Sequence, residues 1–279
     1  MTQGGSRTAA RDLLPAGAGN LGARIGQRGT TRSQTTGLGY TSGRSTQRSL
    51  TISAMARLPR FVLPEYPQHV IQRGNNAQRI LFDEADYWFL WERLRAGADK
   101  FRCDIHAYVL MPNHFHLLIT PHSENGLGKL MQYVGRYYVR YFNERYERTG
   151  TLWDGRYRAT LLDPKGYTNA CARYIEDNPV RAGLVKTAAA YDWSSHGMHA
   201  TGREDALVRL HAEYLALGRS GRTRHEAWSA LFASPVDPAL LERIRSATNK
   251  AWVLGDADFC AEIEEHLNRR ATPRARGGD

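Results

Sequence analysis

Of 279 residues only three are cysteine, and Cys103, Cys171 and Cys260 form no Cys-x-x-Cys pair. That spacing excludes a zinc finger and a disulfide framework and leaves the thiols as reduced core residues. No stretch approaches the roughly 18 consecutive apolar residues of a membrane span, and the N-terminus lacks the apolar middle of a secretion signal. These absences predict a soluble protein of the cytoplasm with no membrane partner. Lysine is missing from residues 1–54 and acid nearly so: seven arginines face one aspartate, which accounts for +6 of the net charge of +10. The same stretch is rich in Gly, Ser and Thr and has no period, so a disordered tail is expected over 1–54. Met55 is a plausible alternative start, with folding beginning near Ala56 to Arg60 and the tail coming from an overlong start. The remaining +4 is spread over more than two hundred residues, so any polyanion partner must be argued from local clusters.

What is present is a regular alternation of elements. His69 to Arg73 alternates as a strand, Gly74-Asn75-Asn76 supplies a turn, and Asp83 to Lys100 reads as a capped amphipathic helix. Two strands, Asp104 to Met111 and His114 to Thr120, are split by Met111-Pro112-Asn113. A long helix over Gly126 to Arg148 and a fourth strand over Gly155 to Asp163 complete the order β-α-β-β-α-β. The expected fold class is α+β: a ferredoxin-like split βαβ sandwich with two helices on one face of an antiparallel sheet. A further helix follows over Lys165 to Asp177. Beyond Gly202 the pattern is helical, around Ala206 to Leu217, Arg224 to Phe232, Pro238 to Ala247 and Asp256 to Leu267, and resembles a small bundle with a fraying Arg-rich end. Three segments result: the tail 1–54, a catalytic-type domain over 55–198 and a helical extension over 199–279.

Three groups of residues carry chemistry. In the apolar run Tyr108 to Thr120, His114 and His116 share one face of a strand while Phe115 turns to the core. Two imidazoles so placed can hold one divalent cation; a pair of surface histidines is the alternative. Lys129 to Arg158 holds seven cations against three acids, a local +4. On a helical wheel Leu127, Met131, Val134, Tyr138 and Tyr141 face inward, while Lys129, Arg136, Arg140 and Asn143 face out. Tyr133 and Tyr137 flank this surface and Trp153, Arg156, Tyr157 and Arg158 follow it. Cations with interleaved aromatics suit single-stranded or hairpin nucleic acid, the alternative being a solvated basic face. Tyr174 and Asn178 are four apart and would share a helical face. A phenol can attack phosphorus where a metal polarises the phosphoryl oxygen, and a carboxamide one turn on can complete a two-histidine cation site. Alternatively Tyr174 is packed in the core and Asn178-Pro179 ends the helix.

Pro112-Asn113-His114-Phe115-His116, the run Gly150-Thr151-Leu152-Trp153-Asp154-Gly155-Arg156-Tyr157, and Tyr174 through Asn178-Pro179-Val180-Arg181-Ala182-Gly183 occur in an order that resembles the single-tyrosine HUH transposases. Within them the resemblance is to the REP-associated tyrosine transposases, and it extends over about residues 56 to 195. His69 through Asn76 is similar to that family's opening strand. The resemblance implies that His114 and His116 bind Mg²⁺ or Mn²⁺, that Asn178 supplies an amide near the metal, and that Tyr174 is the nucleophile. It further implies cleavage of single-stranded or hairpin DNA through a 5′-phosphotyrosine, with Lys129, Tyr133, Arg136, Arg140, Trp153, Arg156 and Arg158 on the DNA. A bacterial, nucleoid-associated monomer or homodimer is the corresponding setting.

Tyr133, Tyr137 and Tyr141 are also spaced by four and rank second as nucleophiles, because Tyr138 and Tyr141 lie on the apolar stripe. If both histidines must be neutral, activity is expected to fall below about pH 6, where a free imidazole protonates. A reading from another class is a domesticated hairpin-binding protein that no longer cleaves. An RNA-recognition module is disfavoured, since no Arg/Lys-Gly-Phe-Gly-Phe strand is present.

Overall fold

In the computed structural model of the chain, residues 60–61 and 63–273 are described. The expected tail, the Met55 start, residues 56–59 and the last part of the Arg-rich end lie outside them. Four strands, β1 Gln68–Arg73, β2 Cys103–Met111, β3 His114–Pro121 and β4 Arg158–Leu161, form one antiparallel sheet in the order β2-β3-β1-β4. Helices α1 Glu84–Phe101 and α2 Gly126–Arg145 supply the two crossovers, so the ferredoxin-like split βαβ order read from the sequence is the fold observed. Asp83 caps α1 as its position predicts, accepting from the Asp86 amide at 3.3 Å.

Strand alternation then divides the side chains. Val70, Ile105, Phe115, Leu117 and Ile119 pack with Leu90 and Leu94 of α1 and Leu130 and Val134 of α2. Ala107, Val109, Met111 and Leu118 point to the other side, where α3 Pro164–Glu176 supplies Cys171 and Ile175. That side is closed by the C-terminal helices: Trp228 from α7 Gly221–Leu231 and Ile244 from α8 Pro238–Lys250 share the same cluster. The helices expected to form a small bundle of their own are therefore one layer of a three-layer arrangement, because their apolar faces have the second sheet face to cover. Between them lie the short α4 Asn178–Arg181, α5 His196–Thr201 and α6 Ala212–Leu215. Helix α9 Ala257–Leu267 packs Phe259 and Ile263 on Leu161 and Phe61 beyond β4.

Three elements differ from expectation, each for a local reason. β4 starts only at Arg158, because Gly155 sits at φ +75° and Trp153 bridges to Gly74 instead. The helix expected over 206–217 shrinks to α6, because Arg209 donates its amide to Ile105 O at 2.8 Å and its carbonyl accepts from His106 Nδ1 at 2.7 Å, which lays the preceding residues along the β2 edge. Covering that edge removes a row of unpaired backbone groups. Finally, α3 stops at Glu176 and Asn178 opens its own short helix, with Pro179 in the first turn. No helix among the described residues is long and apolar enough to cross a membrane.

Candidate active site

β3 turns Phe115 into the α1/α2 core and leaves His114 and His116 on the α3 side, their ring centroids 5.0 Å apart. His116 is almost fully buried, and a chain of hydrogen bonds fixes its tautomer. Thr248 on α8 donates its hydroxyl to Ile244 O at 2.7 Å, so its oxygen accepts from His69 Nδ1 at 2.9 Å. The remaining nitrogen of His69, Nε2, then has a lone pair, which accepts from His116 Nδ1 at 2.8 Å. By this donor count the lone pair of His116 is on Nε2, 2.9 Å from the Asn178 side-chain amide. His114 is set the same way, with its Nδ1 2.6 Å from Asn113 Oδ1 and its Nε2 left as the acceptor.

The surroundings hold all three rings neutral. Burial, then the Arg181 charge, lowers His69 to about 3. Burial, then Arg73, lowers His114 to about 4. His116 is held well below 6.5 by burial first and then by the neighbouring histidines and arginines. Neutral imidazoles with outward Nε2 lone pairs are what a divalent cation requires. A half-turn of the Asn178 amide presents its oxygen where its nitrogen now lies. Two imidazoles and a carboxamide thus fit a cation, and among the described residues no cluster of three or more His, Cys, Asp or Glu offers another metal site. A set this rich in nitrogen suits Mn²⁺ better than Mg²⁺, which prefers oxygen ligands.

Tyr174 lies on α3, buried in the cluster of that side, and its ring faces His69 and His116. Its ring is edge-on to His69 at 5.7 Å and to His116 at 6.0 Å between centroids. The Arg181 guanidinium sits 4.1 Å from the ring centroid and also donates to Tyr174 O at 2.9 Å and to Asp177 Oδ2 at 3.3 Å. Two residues after Tyr174, the fully buried Glu176 fastens the end of α3. One of its oxygens accepts from Ser195 Oγ at 2.5 Å and His199 Nδ1 at 2.6 Å, the other from Trp228 Nε1 at 3.0 Å and His196 Nδ1 at 3.2 Å. Burial alone would raise its pKa, but His199 and the hydrogen bonds from both histidines outweigh burial and bring it down to about 2.

Tyr174, His114, His116 and Asn178, proposed from sequence, are therefore gathered in one place, although the break at Asp177 puts Tyr174 and Asn178 on two helices rather than one face of a single helix. Arg158 is near them: it pairs across the sheet with Ile71, which pairs with His116. The cationic face of α2 is elsewhere. Lys129, Tyr133, Arg136 and Arg140 belong to the helix that packs on the Phe115 side, so the sheet separates them from the histidines. Arg140 is paired with Glu144 at 2.7 Å, and Tyr133 packs against Phe101 and Tyr137. The second-ranked Tyr137 and Tyr141 share that remote layer, where Tyr141 stacks on Phe89 at 4.0 Å and donates to Asp86. Trp153 is a packing residue, stacked on Tyr138 at 5.9 Å and edge-on to Phe115 at 6.1 Å, while Arg156 is exposed.

His69, Thr248, Arg181 and Glu176 were missed from sequence. His69 shares strand parity with Ile71 and Arg73, a usable signal once β1 is known to lie beside β3. Arg181 and Glu176 stand inside the Tyr174 motif; nothing local marks Thr248.

Residues 64–178 match the family model described as "Transposase IS200 like". Over that span the chain is similar to the IS200-like transposases. All four residues gathered at the site fall inside the matched span, and the transposase family read from the motifs agrees with the match. The domain is also similar to a solved REP-associated tyrosine transposase bound to a REP hairpin, at 18% identity and a TM-score of 0.45, covering 56% of this chain and 92% of that one. A second similar structure is a protein from Deinococcus radiodurans R1 described as a transposase, at 23% identity and a TM-score of 0.31, covering 43% and 96%. No curated protein matches the chain.

Proposed function

We propose that this transposase domain is a divalent-metal-dependent nickase and strand transferase for single-stranded DNA at hairpin ends, with Tyr174 as nucleophile. The observation that carries the reading is the edge-on approach of the Tyr174 ring to His116, whose Nε2 lone pair is directed away from the relay that holds it. In the reaction the phenolic oxygen attacks phosphorus and the bond to the 3′-oxygen breaks. The phenolic proton is balanced by the one taken up at the leaving 3′-hydroxyl. The resulting 5′-phosphotyrosine keeps the phosphodiester energy, so attack by a second 3′-hydroxyl reverses the step and joins strands without ATP. A cation held by His114, His116 and Asn178 would polarise a non-bridging oxygen of the scissile phosphate. Arg181, beside the phenol, favours negative charge developing on it and on the phosphoryl group. Residues 55–198 are the catalytic unit in this reading, 199–279 complete it, and it works on chromosomal DNA in the cytoplasm.

The test is to incubate a labelled hairpin bearing a single-stranded flank with Mn²⁺ and wild-type protein or Tyr174→Phe. A covalent adduct on a denaturing gel, mapped to Tyr174 by mass spectrometry and lost with EDTA, is expected only for the wild type. Equal cleavage by the two proteins sinks the assignment. A mobility shift that survives EDTA with no adduct would instead favour the domesticated binding protein.

A further inference from the structure

The matched transposase span ends at 178, yet α8, seventy residues further on, borders the site. Thr248 on α8 ends the relay to His116, and the next two residues, Asn249 and Lys250, turn to a cleft beside β4. The cleft measures about 180 Å³ and is lined by Arg60, Arg156, Tyr157, Arg158, Asn249 and Lys250 with two small alanines. Four of these residues are cations and none is an acid. Arg158 donates to the neutral Asn249 Oδ1 at 2.6 Å, which ties strand and helix together without spending the charge. Arg156 and Lys250 are exposed. The negative end of the α8 dipole also points here, but it amounts to about half a charge against four whole ones.

We infer that this cleft holds the phosphodiester backbone of the single-stranded DNA flank next to the cut, and that the C-terminal extension thereby forms part of the substrate track. The inference rests on the nuclease reading above. Two observations favour a DNA strand over a lone phosphate or a lipid surface. Arg158, Ile71 and His116 form one row across the sheet on one face, so two strand spacings, about 10 Å, separate the cleft from the histidines. A strand whose phosphate lies at the imidazoles continues into the cleft. Moreover, the cleft is a recess with a floor rather than a protruding basic surface of the kind that meets a membrane. The one ring in it, Tyr157, has the Arg60 guanidinium over one face at 3.6 Å and is itself packed against the core, which leaves little of it for stacking a base. The grip is on the backbone and should ignore base sequence.

Fluorescence anisotropy with two DNAs, the hairpin with its flank and the same hairpin cut blunt, tests this at several salt concentrations. Lys250→Glu alters an exposed residue at a helix end, so folding is retained, which thermal unfolding checks. The expected result is roughly tenfold weaker binding of the flanked DNA, a salt slope reduced by about 0.7 as for one lost single-strand phosphate contact, and little change with the blunt hairpin. Lys100→Glu, on α1 across the sheet, should weaken both DNAs alike and only slightly. Unchanged binding of the flanked DNA by Lys250→Glu, or an equal loss on both DNAs, overturns the inference. Either result alongside an intact Tyr174 adduct leaves the nuclease reading standing. Wild-type protein that binds neither DNA and forms no adduct removes both.

Discussion

On the α1/α2 side of the sheet Val70, Ile105, Leu110, Phe115, Leu117 and Ile119 are fully buried among apolar neighbours, whereas on the α3/α8 side the same strands bury His69 and His116 and face Glu176 and Thr248. The first side is set mainly by volume and hydrophobicity, where exchange of one methylene for another costs little geometry, with the buried Asp86 satisfied by Tyr141 and Tyr146. The second side must satisfy each donor and acceptor in turn, since an unpaired buried polar atom costs about 1–3 kcal/mol. Both faces bury apolar clusters, and the second also fixes where the reactive atoms stand.

Variants that act on one face alone sharpen this contrast. The largest effect is expected for Tyr174→Phe, which removes the attacking oxygen and should lower cleavage by more than about 10³-fold in a gel assay while hairpin affinity is kept. Tyr141→Phe, on the remote layer, should leave cleavage within about twofold, as a change far from the reacting atoms. A comparable loss from Tyr141→Phe would erase the division of labour. Next, Leu117→Ala should cost about 2–5 kcal/mol in urea denaturation, with Mn²⁺ affinity of the native protein unchanged. Glu176→Gln places an amide among four donors and should cost about 2–3 kcal/mol, read in the same way. If it proves neutral, the buried carboxylate does not organise α3.

His69→Phe removes the acceptor that orients His116, so Mn²⁺ binding measured by electron paramagnetic resonance should weaken about 10–100-fold. His69→Gln keeps an acceptor and should recover part of that loss; equal losses in the two variants would mean that His69 merely fills space. A further contrast lies in pH. The three imidazoles titrate at about 3, about 4 and well below 6.5 in the fold, against 6.5 when unfolded. Between about pH 4 and 6.5 the unfolded chain binds more protons, so stability is complete above 6.5 and declines as pH falls through this window, by at most about 1.4 kcal/mol per pH unit for each group. His69→Gln should show a shallower slope by one group. The acid limb of cleavage, expected near pH 6 from a free imidazole, moves down with the lowered values toward about 4 for His114.

Much of the apolar side was legible, because period and caps are local: the β-α-β-β-α-β order, Asp83 as a cap and the outward cations of α2 can each be read within a few residues. Parity along β3 likewise separated His114 and His116 from Phe115. A helical wheel, however, tells only which residues of α2 are exposed, and not which sheet face the helix covers, so it could not show that Lys129, Arg136 and Arg140 lie across the sheet from the histidines. Long-range pairings were equally hidden. His69 meets Thr248 across 179 residues, and neither residue's surroundings in sequence hint at the other. The stretch before α6 read as helix because its pairing with Ile105 and His106 is invisible from within the stretch.

The covering of the second sheet face by Trp228 and Ile244 sets a lower limit on what can be cut from this gene. A fragment trimmed to the family span of 64–178 keeps Tyr174, His114, His116 and Asn178, yet it loses Arg181, leaves Val109, Leu118 and Ile175 open to water and leaves His69 without its hydroxyl partner. Any attempt to transplant the chemistry onto another scaffold must therefore carry the far end of the polypeptide along with the motif.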